Sequence, residues 1–79
     1  MRLPREISGA ELAKLLERYG YAITRQTGSH LRLTTTRQGE HHITIPSHKR
    51  LKVGTLSAVL ADVATHLGRD KGEVIRELF

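Results

Sequence analysis

Two short runs of strict alternation constrain this chain more than anything else in it. In residues 30–36, Leu31, Leu33 and Thr35 point one way, and His30, Arg32, Thr34 and Thr36 point the other. In residues 41–45, Ile43 and Ile45 share one face while His42 and Thr44 share the opposite one. Arg37-Gln38-Gly39-Glu40 joins the two runs as a glycine-containing hairpin connection. A ribbon of this kind has one apolar face that must be covered and one polar face that stays wet. With 79 residues the chain can build a thin core and no deep enclosed pocket. Helices must supply the cover, and function falls to an open surface.

The flanking segments provide those helices. Ser8-Gly9-Ala10-Glu11 reads as a capping box, with Ile7 and Leu12 placed as a hydrophobic staple across it. Leu12, Leu15, Leu16 and Tyr19 then recur on one helical face, and Gly20 stops the run, which predicts a helix over residues 9–19. Residues 21–27 contain isoleucine, tyrosine and threonines and predict a first strand, followed by a tight Gly28-Ser29 turn. Pro46 ends the last strand, because it cannot donate to a ladder. Leu56, Val59, Leu60, Val63 and Leu67 form the stripe of a second helix over 56–67, with Thr55 as its N-cap and Gly68 as its stop. Asp70 and Glu73 offer another capping box, opening a short third helix through Val74, Ile75 and Leu78. The expectation is one α+β domain over residues 1–79: a helix, a three-stranded antiparallel sheet and a helix, with a short extra C-terminal helix. The helices lie on one sheet face, so His30, Arg32, Thr34, His42 and Thr44 lie on the uncovered one.

Charge is concentrated on the segment that carries this face. Residues 25–54 hold Arg25, Arg32, Arg37, Lys49, Arg50 and Lys52 against Glu40 alone, which accounts for the whole formal charge of +5. Four of the five histidines, His30, His41, His42 and His48, lie there too. A basic tract so placed points to a polyanionic partner. The absence of cysteine excludes disulfides and thiolate metal sites. No long apolar run is present, and the stretch Met1-Arg2-Leu3-Pro4-Arg5-Glu6 lacks the apolar core of a secretion signal, so a cytoplasmic location is expected.

Two features carry possible chemistry. Lys49, Arg50 and Lys52 precede the free amides of the second helix, where full charges and the helix end converge on a site for phosphate. His30 supplies a group that exchanges a proton near neutral pH, as RNA cleavage requires. It can act on a ribose hydroxyl, a water or a leaving oxygen, while Arg32 or the loop cations stabilise charge developing on phosphorus. His48 is a backbone contact or a partner acid/base. The bland alternatives are a surface histidine and a flexible, hydrated basic loop. A metal reading of His41, His42 and His48 is disfavoured, since no zinc spacing appears and acidic ligands are nearly absent. Phosphate-loop and two-metal templates are missing. The three aromatics, Tyr19, Tyr21 and Phe79, provide no stacking platform on the open face, so recognition would rest on backbone and shape.

Five pieces in order resemble one family. They are Leu3-Pro4-Arg5 with Ser8-Gly9, Leu15-Leu16 with Gly20-Tyr21, Gln26-Thr27-Gly28-Ser29-His30, Ile45-Pro46-Ser47-His48, and Gly54-Thr55-Leu56. Together they are similar to the HicA family of bacterial toxins. The resemblance implies a fold like that of double-stranded-RNA-binding domains. It also implies a metal-independent ribonuclease that cleaves messenger RNA and halts translation, with no cofactor. His30 matches the family's catalytic histidine, and a HicB-like antitoxin is the implied protein partner. Ser29, Arg32, His48, Lys49, Arg50, Lys52 and Thr55 are the candidate RNA contacts. The family often has an aromatic after its histidine, where this chain has Leu31-Arg32-Leu33, and the segment 68–79 is a longer ending than the shortest members have. That ending could serve homo-oligomer contacts or antitoxin docking. The competing readings are a non-catalytic module for double-stranded RNA and a basic protein-interaction domain.

Overall fold

The computed structural model describes residues 3–79. Met1 and Arg2, part of the N-terminal stretch read above for a secretion signal, lie outside the described residues. The order of elements is α1 (Gly9–Leu16), a 3-10 turn (Glu17–Tyr19), β1 (Ala22–Gln26), β2 (His30–Thr35), β3 (His41–Pro46), α2 (Val53–Leu67) and α3 (Lys71–Leu78). The strands form one antiparallel sheet in the order β1-β2-β3.

Helix α1 starts as its sequence requires. The Ser8 hydroxyl accepts from the Glu11 amide at 3.0 Å, and the Glu11 carboxylate accepts from the Ser8 amide at 3.1 Å. The last turn tightens to 3-10 geometry, and Gly20 exits at φ +86. There the chain presses on β2, since a Cβ at Gly20 would meet the Thr35 hydroxyl at 2.9 Å. Thr35 is buried but satisfied: its hydroxyl donates to the Tyr19 carbonyl at 3.0 Å and accepts from the Arg37 amide at 3.2 Å.

One side of the sheet is covered. Leu31, Leu33, Ile43 and Ile45 are buried against Leu12, Leu16, Leu56, Leu60 and Val63 from the helices. His30, Arg32, His42 and Thr44 are exposed and Thr34 is half-buried, as the alternation predicts. Leu31 and Leu33 belong to the core, and Arg32 between them faces the open surface.

Three local details differ from the sequence reading. Helix α2 begins at Val53 with Lys52 as N-cap and no side-chain cap, so Thr55 lies inside the first turn instead of capping it. The reason is Leu51, whose buried side chain and amide bond to the Ile7 carbonyl at 2.8 Å fix the entry earlier than propensity suggests. At α3, Asp70 caps the Gly72 amide at 3.0 Å, while the Glu73 carboxylate turns back to Arg69 instead of completing a box. Finally, β1 shifts register by one residue at Thr24: Ile23 pairs with Leu33, but Arg25 pairs with Arg32. This is a β-bulge, which places Thr24 and Arg25 together opposite Arg32.

Candidate functional site

His30 opens β2, exposed, directly opposite Pro46 at the end of β3. The turn before it is tightly tied. The His30 amide donates to the Thr27 hydroxyl at 3.2 Å, and the Thr27 amide donates to the His30 carbonyl at 3.0 Å. The imidazole Nδ1 shares a hydrogen bond with the Ser29 hydroxyl at 3.0 Å, which leaves Nε2 as the nitrogen presented outward.

The basic loop is fixed to this same turn. The Ser47 amide donates to the Ser29 carbonyl at 2.9 Å, and the Ser47 hydroxyl donates to the Gly28 carbonyl at 3.2 Å. The Gly9 amide of α1 donates to the His48 carbonyl at 3.0 Å. Leu51 anchors the far end in the core, and Arg50 pairs with Glu6. The segment from Ser47 to Lys52 is therefore a held loop, bonded at Ser47 to the turn that presents His30 and at Leu51 to Ile7. Lys49 and Lys52 stay exposed with no ion pair among the described residues, and Lys52 and Thr55 stand at the start of α2.

Arg32 lies two residues from His30 on the same face, about 7 Å along the strand. The remaining members of the basic tract divide into engaged and free. Arg37 donates to the Arg18 carbonyl at 2.9 Å, and Arg50 is held by Glu6. Glu40, the sole acid of the tract, accepts from His42 Nε2 at 2.8 Å, and His42 Nδ1 meets the Thr34 hydroxyl at 2.7 Å. Arg25, Arg32, Lys49 and Lys52 have no acidic partner among the described residues.

The other histidines go elsewhere. His41 stands at the sheet's border with Nε2 3.2 Å from Asp62 and Nδ1 2.7 Å from the Tyr21 hydroxyl. A carboxylate only accepts, so Nε2 donates to Asp62, and Nδ1 shares its hydrogen bond with the Tyr21 hydroxyl. Burial, with Asp62 adding to it, pushes the Tyr21 hydroxyl up to about 12 and keeps it a donor. His66, in the last turn of α2, stacks on His41 at 4.4 Å and bonds the Arg37 carbonyl at 2.9 Å, so it clamps that helix to the sheet. His41 and His42 thus face separate neighbourhoods. An apolar groove of about 370 Å³, between Pro4, Ile7, Leu15 and Phe79, lies on the helix side.

The sequence reading gave Ser47 and Gly9 no part in holding this site, and it counted Arg25 only among the charges of the basic tract. Ser47 and Gly9 act through bonds between segments distant in sequence, and a bulge has no dependable local signature. The architecture defines a class: an α+β domain with helices on one face of a three-stranded antiparallel sheet and a basic, histidine-bearing opposite face. The chain belongs to the HicA toxin family, since residues 9–64 match the family model for the HicA toxin of bacterial toxin-antitoxin systems. The match takes in α1, the whole sheet, the basic loop and most of α2, and it stops before α3. Neither the curated proteins nor the solved structures give a match. Membership makes the chain a toxin of a toxin–antitoxin pair, with an antitoxin as its protein partner. Among the described residues, no helix is long and apolar enough to cross a membrane.

Proposed function

We propose that this toxin is a metal-independent endoribonuclease that cleaves messenger RNA, with His30 as its general acid or base. The observation that carries the reading is the pair of Ser47 bonds to Ser29 and Gly28, which hold the cationic loop against the turn presenting His30. A phosphodiester seated between Arg32 and Lys49 would meet the outward Nε2 of His30. The imidazole takes a proton from the attacking hydroxyl or gives one to the leaving oxygen. Arg32 and the loop cations offset the negative charge that builds on phosphorus. Ser29 orients the ring, and His48, Lys49, Arg50, Lys52 and Thr55 hold flanking backbone. Arg50 must leave or share its exposed pair with Glu6, a small cost for a surface ion pair. A HicB-like antitoxin would neutralise the toxin by covering this basic surface.

The test is degradation of a transcript by purified protein beside His30→Ala, each with and without EDTA. General acid–base catalysis contributes about 10²–10⁴-fold, so the variant should lose activity on that scale while the wild type cuts equally in chelator. Equal cutting by both proteins removes His30 from the mechanism, and loss of wild-type cutting in EDTA removes metal independence. Salt-sensitive RNA binding with no cleavage would favour the non-catalytic module instead.

A further inference from the structure

Arg25 and Arg32 are Cα partners across β1 and β2, and both are exposed. Regular pairing would not bring them together. Ala22 pairs with Thr34 and Ile23 with Leu33, so an unbroken ladder would set Thr24 opposite Arg32 and turn Arg25 toward the helices. The bulge at Thr24 prevents this. It is held on the open side by the Thr24 hydroxyl, which bonds the Thr34 hydroxyl at 2.8 Å and the Arg32 carbonyl at 3.4 Å. One extra residue therefore turns Arg25 to the side of the sheet that carries Arg32, its Cα partner. Like charges directly opposite in a sheet are destabilising, and among the described residues no acid approaches either one.

We infer that the bulge builds an arginine pair, Arg25 with Arg32, that extends the RNA contact from the phosphodiester at His30, which Arg32 borders, to the neighbouring one, which Arg25 shares with it. The inference rests on the reading of the open face as an RNA surface, and it adds Arg25 and the bulge to it. Planar guanidiniums suit phosphate oxygens, and a shared anion offsets the repulsion between the two cations. The lysines lie on the loop beyond β3, while Arg25 lies on β1 at the opposite edge, so the bound backbone crosses the sheet from one edge to the other.

The experiment titrates full-length His30→Ala protein, which does not consume its ligand, with a fluorescent RNA hairpin across about 50–200 mM salt. Removing one cation that neutralises a phosphate should make the slope of log affinity against log salt shallower by about 0.7–0.9. Adding Arg25→Ala should give that change, and Arg25→Glu about twice it, because a carboxylate opposite Arg32 neutralises both cations. Arg76→Ala, which removes an exposed charge on α3, should leave the slope as it was. The melting temperature of the Arg25→Ala protein should hold or rise, since a like-charge pair is relieved. An unchanged slope with Arg25→Ala, or an equal change with Arg76→Ala, overturns the arginine pair while leaving the His30 reading intact. Absence of any salt-dependent RNA binding by the parent overturns both. Binding by the parent without cleavage by wild type overturns only the catalytic reading, and the slopes still decide the pair.

Discussion

Gly9 has no room for a side chain. A Cβ there would lie 2.1 Å from the Pro46 carbonyl oxygen and 3.1 Å from its carbon. The obstacle is backbone, so no rotamer change relieves it, and α1 would have to lift from the end of β3. Two effects then oppose each other. Replacing a helical glycine by alanine ordinarily gains roughly 1 kcal/mol, while forcing atoms into a filled space costs about 1–3 kcal/mol. A contact this short with immovable atoms sits high in the second range. Gly9→Ala is therefore expected to lower the urea midpoint by the equivalent of about 1–2 kcal/mol with an unchanged m-value. A rise in midpoint, as propensity alone would give, would show that α1 and the end of β3 approach each other loosely. The sequence reveals Ser8-Gly9 as the start of a helix because capping is local chemistry. It hides the need for glycine, because the partner carbonyl belongs to a strand far along the chain.

At the level of elements, legibility tracks locality in the same way. The phases of β2 and β3 can be read because one face is buried and side chains alternate. The stripes of α1 and α2 can be read because their apolar residues recur with helical spacing. The bulge in β1, the early start of α2 and the clamp of His41 by Tyr21 and Asp62 depend on tertiary partners and cannot. The attachment of α3 belongs to that second group. Arg69 grips both oxygens of Glu77 at 2.7 and 2.6 Å, the Tyr19 hydroxyl donates to the same carboxylate at 2.5 Å, and Arg18 donates to the Glu77 carbonyl at 2.7 Å. The Arg69 guanidinium, helped by the Tyr19 hydroxyl, lowers the Glu77 carboxyl from 4.5 to about 2. A carboxyl held lower in the folded than in the unfolded chain stabilises the fold fully above pH 4.5 and progressively less as pH falls through about 2. Glu77→Gln should thus lower the melting temperature at neutral pH and flatten its decline between pH 4.5 and about 2. Parallel acid-melting curves for the two proteins would mean that the carboxylate network does not fasten α3.

The molecule as a whole does not end where its family match ends. The match stops at residue 64, yet the apolar core continues through Leu67 into α3, where Val74 is fully buried and Ile75 is 9% exposed. A chain of this size has little core to spare, and domain stabilities lie at about 5–15 kcal/mol. Burying an aliphatic side chain contributes about 1.5–3 kcal/mol, so Val74 and Ile75 together supply about 3–6 kcal/mol before the ordering of α3 is charged against them. That share is too large for an ornament on a finished domain. A chain truncated after Gly68 is expected to unfold at a much lower denaturant concentration, or to stay unfolded, even though it retains every residue of the family match. The open face is built from the sheet and the loop, on the side away from the helices. Whatever fraction of the truncated protein folds should therefore bind RNA with the wild-type salt slope, and RNA should raise its melting temperature by mass action. If the truncated chain melts like the full one, the core is complete without α3. If it folds but binds RNA with an altered slope, α3 reaches the nucleic acid, and the separation of a stabilising helix layer from a binding sheet face fails.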